Sequence, residues 1–254
     1  MDMVRYNRWK FTLLLAALLG LLVVHPFLYG DQAWVALVYD LLLAAVSLGA
    51  ILVLFQRKQS RVMAVVLGLP TLASALTYQL GPAATPVSVT IFFQLCAFLF
   101  LGYTVVTILR TIFVGAEVSF DSINGAFCGY LLLGVAFGHL YCLVESVRPS
   151  SFNLQEHFGP LALEGGRRHS LLTYFSLVTL TTVGYGDITP RSPPARSLAC
   201  VEAIIGQFYV AVIIAGLVAL KVSAALRKQQ PDRAVSATSR VSPDDQLPFQ
   251  DRPT

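Results

Sequence analysis

The run Thr181-Thr182-Val183-Gly184-Tyr185-Gly186-Asp187 sets glycine at two alternate positions, Gly184 and Gly186. In an ordinary strand the pleat sends successive groups to opposite sides. Backbone that alternates between left- and right-handed regions turns its carbonyls to one side instead, and glycine enters the left-handed region at little cost. The spacing therefore fits a ladder of carbonyl oxygens facing one way. Such oxygens can replace the water around a dehydrated cation when their number and field strength suit it. Thr182 adds a hydroxyl oxygen at one end.

The flanks fit a membrane setting for this ladder. Before it, Ser170–Leu180 is apolar but shorter than the roughly 20 residues that cross a bilayer. It reads as a re-entrant helix with Ser170 as N-cap. Its partially negative C-terminal end would favour a cation on the inner side of the ladder. After the ladder, Ala195–Val222 is long enough to span. Irregular backbone at membrane depth is tolerated only where protein surrounds it or it lines a water-filled path.

The rest of the 254 residues agrees. Hydrophobic residues make up 56% and charged residues 13%, against about 25% charged in ordinary soluble domains. Apolar segments of near-spanning length run Trp9–Leu28, Ala33–Phe55, Val62–Leu80, Val87–Val114, Val118–Val144 and Ala195–Val222. The third is marginal and carries Pro70, whose freed carbonyl partner a neighbouring helix can satisfy. Basic residues cluster at Arg5, Arg8 and Lys10, at Arg57, Lys58 and Arg61, at Arg110, and at Lys221, Arg227 and Lys228. With both termini cytoplasmic, all of these fall inside. The loop with Arg148, Arg167 and Arg168, and then Arg191 and Arg196, stands outside and runs against that rule. The first segment reads as a retained helix rather than a cleaved signal, since no small-residue cleavage site follows it. Cys96, Cys128, Cys142 and Cys200 lie in apolar runs without CxxC spacing and read as packing residues. The net charge of +4 is a matter of topology, not of nucleic acid. No nucleotide-binding motif, HExxH motif or nucleophile elbow appears, so no enzyme is expected. No cofactor is implied either.

Thr182-Val183-Gly184-Tyr185-Gly186 matches the TVGYG filter of potassium channels, and Tyr174 to Pro190 resembles the pore loop of the potassium channel superfamily. Glu202 to Leu220 is similar to the inner helix of its prokaryotic members. With the fifth segment the resemblance covers about 110 residues. It implies that the carbonyls of Thr182, Val183, Gly184 and Tyr185 coordinate K+, that Gly186 completes the filter, and that Asp187 and Tyr185 brace it from behind. Gly206 lies where such channels place a hinge glycine, although close helix packing is an equal reading. A hinge there puts Gln207, Val210 and Ile214 toward the cavity and Val218 and Val222 at an apolar constriction. Two departures stand out. Tyr174 and Phe175 replace the paired tryptophans of many members; Tyr174 can donate a hydrogen bond, to Asp187 for example, and Phe175 cannot. Small two-helix channels carry a Glu behind the filter, and the corresponding position here is Val178.

Six spans with the pore loop between the last two resemble the voltage-gated layout. Yet the fourth segment holds Arg110 and no other Lys or Arg. Each charge crossing the field is worth only about 2.3 kcal/mol per 100 mV, so voltage dependence needs several. Little is expected here. Asp40, in the second segment, is an intramembrane acid and so a functional candidate; a hydrogen bond to Tyr78 or Gln94, a proton site or a relic countercharge are all open. The expected architecture is an all-α membrane protein of six transmembrane helices plus a re-entrant pore helix and filter loop, forming a tetrameric pore. Residues 1–116 would be a four-helix domain, 117–228 the pore domain, and 229–254 a disordered cytoplasmic tail. A homotetramer in the plasma membrane, with the bilayer and permeant K+ as its partners, follows from four strands being needed around one axis. A transporter subunit is disfavoured by the single intact repeat, and a non-conducting scaffold by the intact filter.

Overall fold

The computed structural model describes residues 10–27, 41–51, 60–80, 86–114, 120–154, 156, 159 and 165–238. Among the described residues the architecture is helical: α1 Lys10–Phe27, α2 Leu41–Ile51, α3 Ser60–Leu80, α4 Val87–Val114, α5 Phe120–Val147, α6 Gly165–Leu180 and α7 Pro193–Thr238. No strand occurs among them; an isolated bridge joins Phe152 to Pro190.

Three of these helices are long and apolar enough to cross a membrane, over Val87–Phe113, Asp121–Val147 and Pro193–Gly216. They correspond to the fourth, fifth and sixth of the expected spans. Two shorter apolar helical stretches, Phe11–Val23 and Leu41–Ile51, lie within the first two segments. In α3 the apolar character is diluted by Pro70, Thr71, Ser74, Thr77, Tyr78 and Gln79.

Helix α5 is the hub, packing against α1, α4, α6 and α7, while α3 packs on α4. One core joins Phe11, Leu14 and Leu18 of α1, Val46 of α2, Phe100 and Ile108 of α4 and Leu132 and Val135 of α5. A second core surrounds the loop region, with Phe137 and Tyr141 of α5, Phe152 and Leu154 beyond it, Leu172 and Phe175 of α6, and Ile188. Small residues let α6 lie close on α5. A Cβ at Gly134 would meet Leu177 Cδ2 at 2.5 Å, and one at Gly138 would meet Thr173 Oγ1 at 2.5 Å.

Two boundaries differ from those read in the sequence. Helix α6 starts at Gly165, so Ser170 is an interior helical residue and not its N-cap. Apolarity marks only the part of α6 that lies against the core; the polar first turn, with Arg167, Arg168 and His169, is helical as well. Helix α7 continues to Thr238, so 229–238 of the expected disordered tail is helical. The run Ala224-Ala225-Leu226-Arg227-Lys228-Gln229-Gln230 consists of strong helix formers, which extend the helix past its apolar part. Residues 239–254 and Asp40 lie outside the described residues.

Candidate functional site

The site is built where α6 ends. Its last turn passes directly into the loop: Thr181 N donates to Leu177 O at 3.0 Å, Thr182 N to Thr179 O at 2.9 Å, and Val183 N to Val178 O at 3.0 Å. The loop is thus hung from the C-terminal carbonyls of α6, including that of Val178. From there φ is positive at every second residue: +58° at Thr182, +59° at Gly184 and +81° at Gly186. Two of the three are glycines, for which this region carries no steric cost; Thr182 is not, and a left-handed non-glycine residue persists only where its surroundings hold it. Residues 181–186 are all exposed in the single chain, Tyr185 to 71%.

The C-terminal end of the loop is tied down twice. Tyr174 OH, from α6, donates to Asp187 Oδ2 at 2.8 Å, and Ile188 N donates to Asp187 Oδ1 at 2.9 Å. A strap formed by Ser151–Leu154 runs alongside: Thr189 N donates to Asn153 Oδ1 at 2.6 Å, Asn153 N to Thr189 O at 3.2 Å, and Arg191 N to Ser151 O at 2.7 Å. The strap is itself anchored by buried Glu145 at the end of α5, which accepts from Ser150 N at 2.8 Å and Phe152 N at 3.2 Å. Arg191 pairs with Glu156 at the surface, and this hydrogen bond raises the guanidinium pKa further above neutral. Phe175 has no polar role; its ring packs edge-on against Tyr141 and Phe152, at centroid distances of 5.1 and 5.3 Å.

The N-terminal end of the loop meets α5 and α7. Tyr130 OH donates to Leu180 O at 3.0 Å. Gly206 lies against the same carbonyl: a Cβ there would come within 2.3 Å of Leu180 O. Close packing, one of the two readings of Gly206, thus has a specific cause. Gln207 Nε2 donates to Thr182 Oγ1 at 3.3 Å, which puts Gln207 under the first residue of the ladder. Val210, Ile214, Val218 and Val222 are exposed, but so are Ile204, Phe208 and Val212 around the helix, so exposure alone does not select a cavity face. The spanning part of α7 is 17% buried, against 50% and 61% for α4 and α5.

Sequence reasoning missed one group behind the loop. Glu202 of α7 is fully buried and is hydrogen-bonded to Tyr141 of α5 and Ser176 of α6. The resemblance placed the acid of small two-helix channels at the position of Val178, on α6, where this chain has none. The signal was in the sequence all the same: Glu202 is an acid inside an apolar span. A second polar group lies higher up. His139 Nδ1 is 2.6 Å from Gln94 Oε1 of α4 and 3.1 Å from His169 Nε2 of α6, all three buried. Gln94, considered as a partner for Asp40, is thus engaged by His139. All four cysteines are free, and Cys142 and Cys200 form no bridge.

Residues 164–221 match a family described as ion channels. The chain is similar to two pore potassium channel c of Oryza sativa subsp. japonica, 44% identical over 45 residues, covering 18% of this chain and 10% of the relative. It is also similar to two-pore potassium channel 1 of Arabidopsis thaliana, 51% identical over 37 residues, covering 15% and 10%. These matches span about a tenth of the length of either relative. No solved structure matches. The matched family is one of channels, and over this segment the chain is similar to potassium channels of plants.

Proposed function

We propose that four copies of this chain surround one axis and conduct K+ passively and selectively through the Thr182–Gly186 stretches. The observation that carries this reading is the alternation of positive φ at Thr182, Gly184 and Gly186. Backbone of that kind turns the carbonyls of Thr182, Val183, Gly184 and Tyr185 to one side, where they replace the hydration shell of a K+ ion. The stretch occurs once in the chain, so a closed ring takes four copies. Six consecutive exposed residues of irregular backbone need protein or a water-filled path around them at membrane depth, and neighbouring copies supply both. The exposed apolar residues of α7, among them Ile204, Phe208 and Val212, supply the surface for those neighbours.

In this reading Asp187, Tyr174, Phe175 and Val178 support the filter. Gln207, Val210 and Ile214 line the cavity below it, and Val218 and Val222 narrow its inner mouth. Helices α1–α4, with the second segment completed, bring the spans to six. The termini lie in the cytoplasm and the membrane is the plasma membrane, as the basic clusters ask. Opening does not depend on voltage, because α4 carries Arg110 alone.

The test is ion flux in proteoliposomes under a K+ gradient, comparing K+ with Na+ and the wild type with Gly184→Asp. A side chain at φ +59° is strained and crowds the axis, so K+ flux should be abolished. Wild-type K+ flux no larger than Na+ flux overturns the reading.

A further inference from the structure

Three oxygen–oxygen contacts meet behind the loop. Tyr141 Oη touches Glu202 Oε2, Ser176 Oγ touches Glu202 Oε1, and Ser176 Oγ also lies 2.7 Å from the Gly134 carbonyl oxygen. Each contact needs one hydrogen. Tyr141 and Ser176 bring one each, and a carbonyl brings none. An ionised carboxylate brings none either, so Ser176 would have to give up Gly134 or Glu202. A carboxylic acid supplies the third. With the hydrogen on Oε1, Glu202 donates to Ser176 Oγ, Ser176 donates to Gly134 O, and Tyr141 donates to Glu202 Oε2. Every contact is then satisfied.

The surroundings agree with a neutral acid. Glu202, Ser176 and Tyr141 all have 0% exposure, and the ion pair found among the described residues, Arg191–Glu156, is elsewhere. A buried carboxylate without a cation is costly. The chain of bonds ties α7 at Glu202, α6 at Ser176 and α5 at Gly134 and Tyr141. Ser176 directly precedes Leu177 and Val178, two of the residues from whose carbonyls the loop is hung.

We propose that Glu202 is a positioning residue that carries a proton, and that this neutral acid pins α6 between α5 and α7 and so sets the place of the Thr182–Gly186 ladder. It acts through Ser176 and does not touch the ion. The assignment of its effect to selectivity rests on the channel reading; the location of its proton does not.

The experiment compares wild type, Glu202→Gln, Glu202→Ala and Ser176→Ala as purified oligomers. A glutamine amide reproduces the neutral acid, since its NH2 donates to Ser176 and its oxygen accepts from Tyr141. Glu202→Gln should therefore keep the wild-type K+/Na+ flux ratio. Glu202→Ala should lower it about tenfold, the equivalent of leaving one buried polar group unpaired. Should Glu202→Ala fail to assemble, Ser176→Ala breaks the same link with a smaller loss of volume and should lower the ratio in the same direction. The infrared difference spectrum of wild type minus Glu202→Gln should contain the carbonyl stretch of a protonated carboxylic acid. The proposal is overturned if Glu202→Gln falls as far as Glu202→Ala, if Ser176→Ala keeps the wild-type ratio, or if the carboxylic acid band is missing. A wild type without K+ flux would instead defeat the channel reading, and the infrared band, which requires no flux, would still decide the proton.

Discussion

Tyr174 OH donates to Asp187 Oδ2 at 2.8 Å, closing a ring that begins on α6, runs through the whole Thr182–Gly186 stretch and returns to α6. The bond fastens the C-terminal end of the loop to the helix from which its N-terminal end hangs. Phe175, next in sequence, is turned into the aromatic cluster with Tyr141 and Phe152 and makes no such bond. One hydroxyl therefore holds what two ring donors would otherwise share. Tyr174→Phe removes it and leaves the ring. The expected result is a folded oligomer whose K+/Na+ ratio falls by about a factor of 3 to 10, in line with roughly 1 kcal/mol for one hydrogen bond. Flux recordings at wild-type rate and selectivity would exclude this role for Tyr174.

Gly206→Ala separates two accounts of one glycine. The added methyl would come within 2.3 Å of Leu180 O, a backbone atom that can yield only if the end of α6 moves. Overpacking of this kind costs about 1–3 kcal/mol. The oligomer should melt at lower temperature and its K+/Na+ ratio should change along with stability. A pure hinge would predict altered opening with unchanged heat resistance. A thermal unfolding curve superimposable on wild type rules out the packing account.

Gln94→Leu tests the link between α4 and the pore region. Gln94 Oε1 lies 2.6 Å from His139 Nδ1, and His139 Nε2 on the far side of the ring is already without a partner. Leucine has similar bulk but cannot accept, so His139 Nδ1 keeps only His169 beside it, at a cost of about 1–3 kcal/mol. The thermal midpoint should drop, and Gln94→Glu, which keeps an acceptor, should drop less. Equal midpoints for Gln94→Leu and wild type would mean that the contact contributes nothing.

Much of the site could be read from the chain because its chemistry is local. Gly184 and Gly186 declare the left-handed positions, and Ser170–Leu180 declares a helix too short to span. The contribution of Thr182 to the same alternation could not be read, since threonine has no preference for positive φ; the surrounding bonds impose it. Glu202 and the Gln94–His139–His169 cluster were missed for a related reason. Their partners lie 26 to 61 and 30 to 45 residues away, and only tertiary packing brings them together. Of the six expected spans, those in Val87–Phe113, Asp121–Val147 and Pro193–Gly216 were legible from apolar length alone, whereas in α3 polar residues interrupt the apolar run.

Voltage supplies the last prediction. A sensor must carry charge through the field, and at about 2.3 kcal/mol per charge per 100 mV a single residue shifts an equilibrium by less than two decades over that range. Helix α4 contains Arg110 as its one basic residue, four positions from its C-terminal end. Its other large residues, including Phe92, Phe100 and Tyr103, are neutral. Conductance measured in planar bilayers between −100 and +100 mV should therefore rise by no more than the asymmetry of the ion gradient requires. Arg110→Gln should leave that relation unchanged. A sigmoidal curve whose steepness needs several charges per subunit would demand a moving charge that α4 does not hold, and would shift attention to the basic clusters of the inner loops.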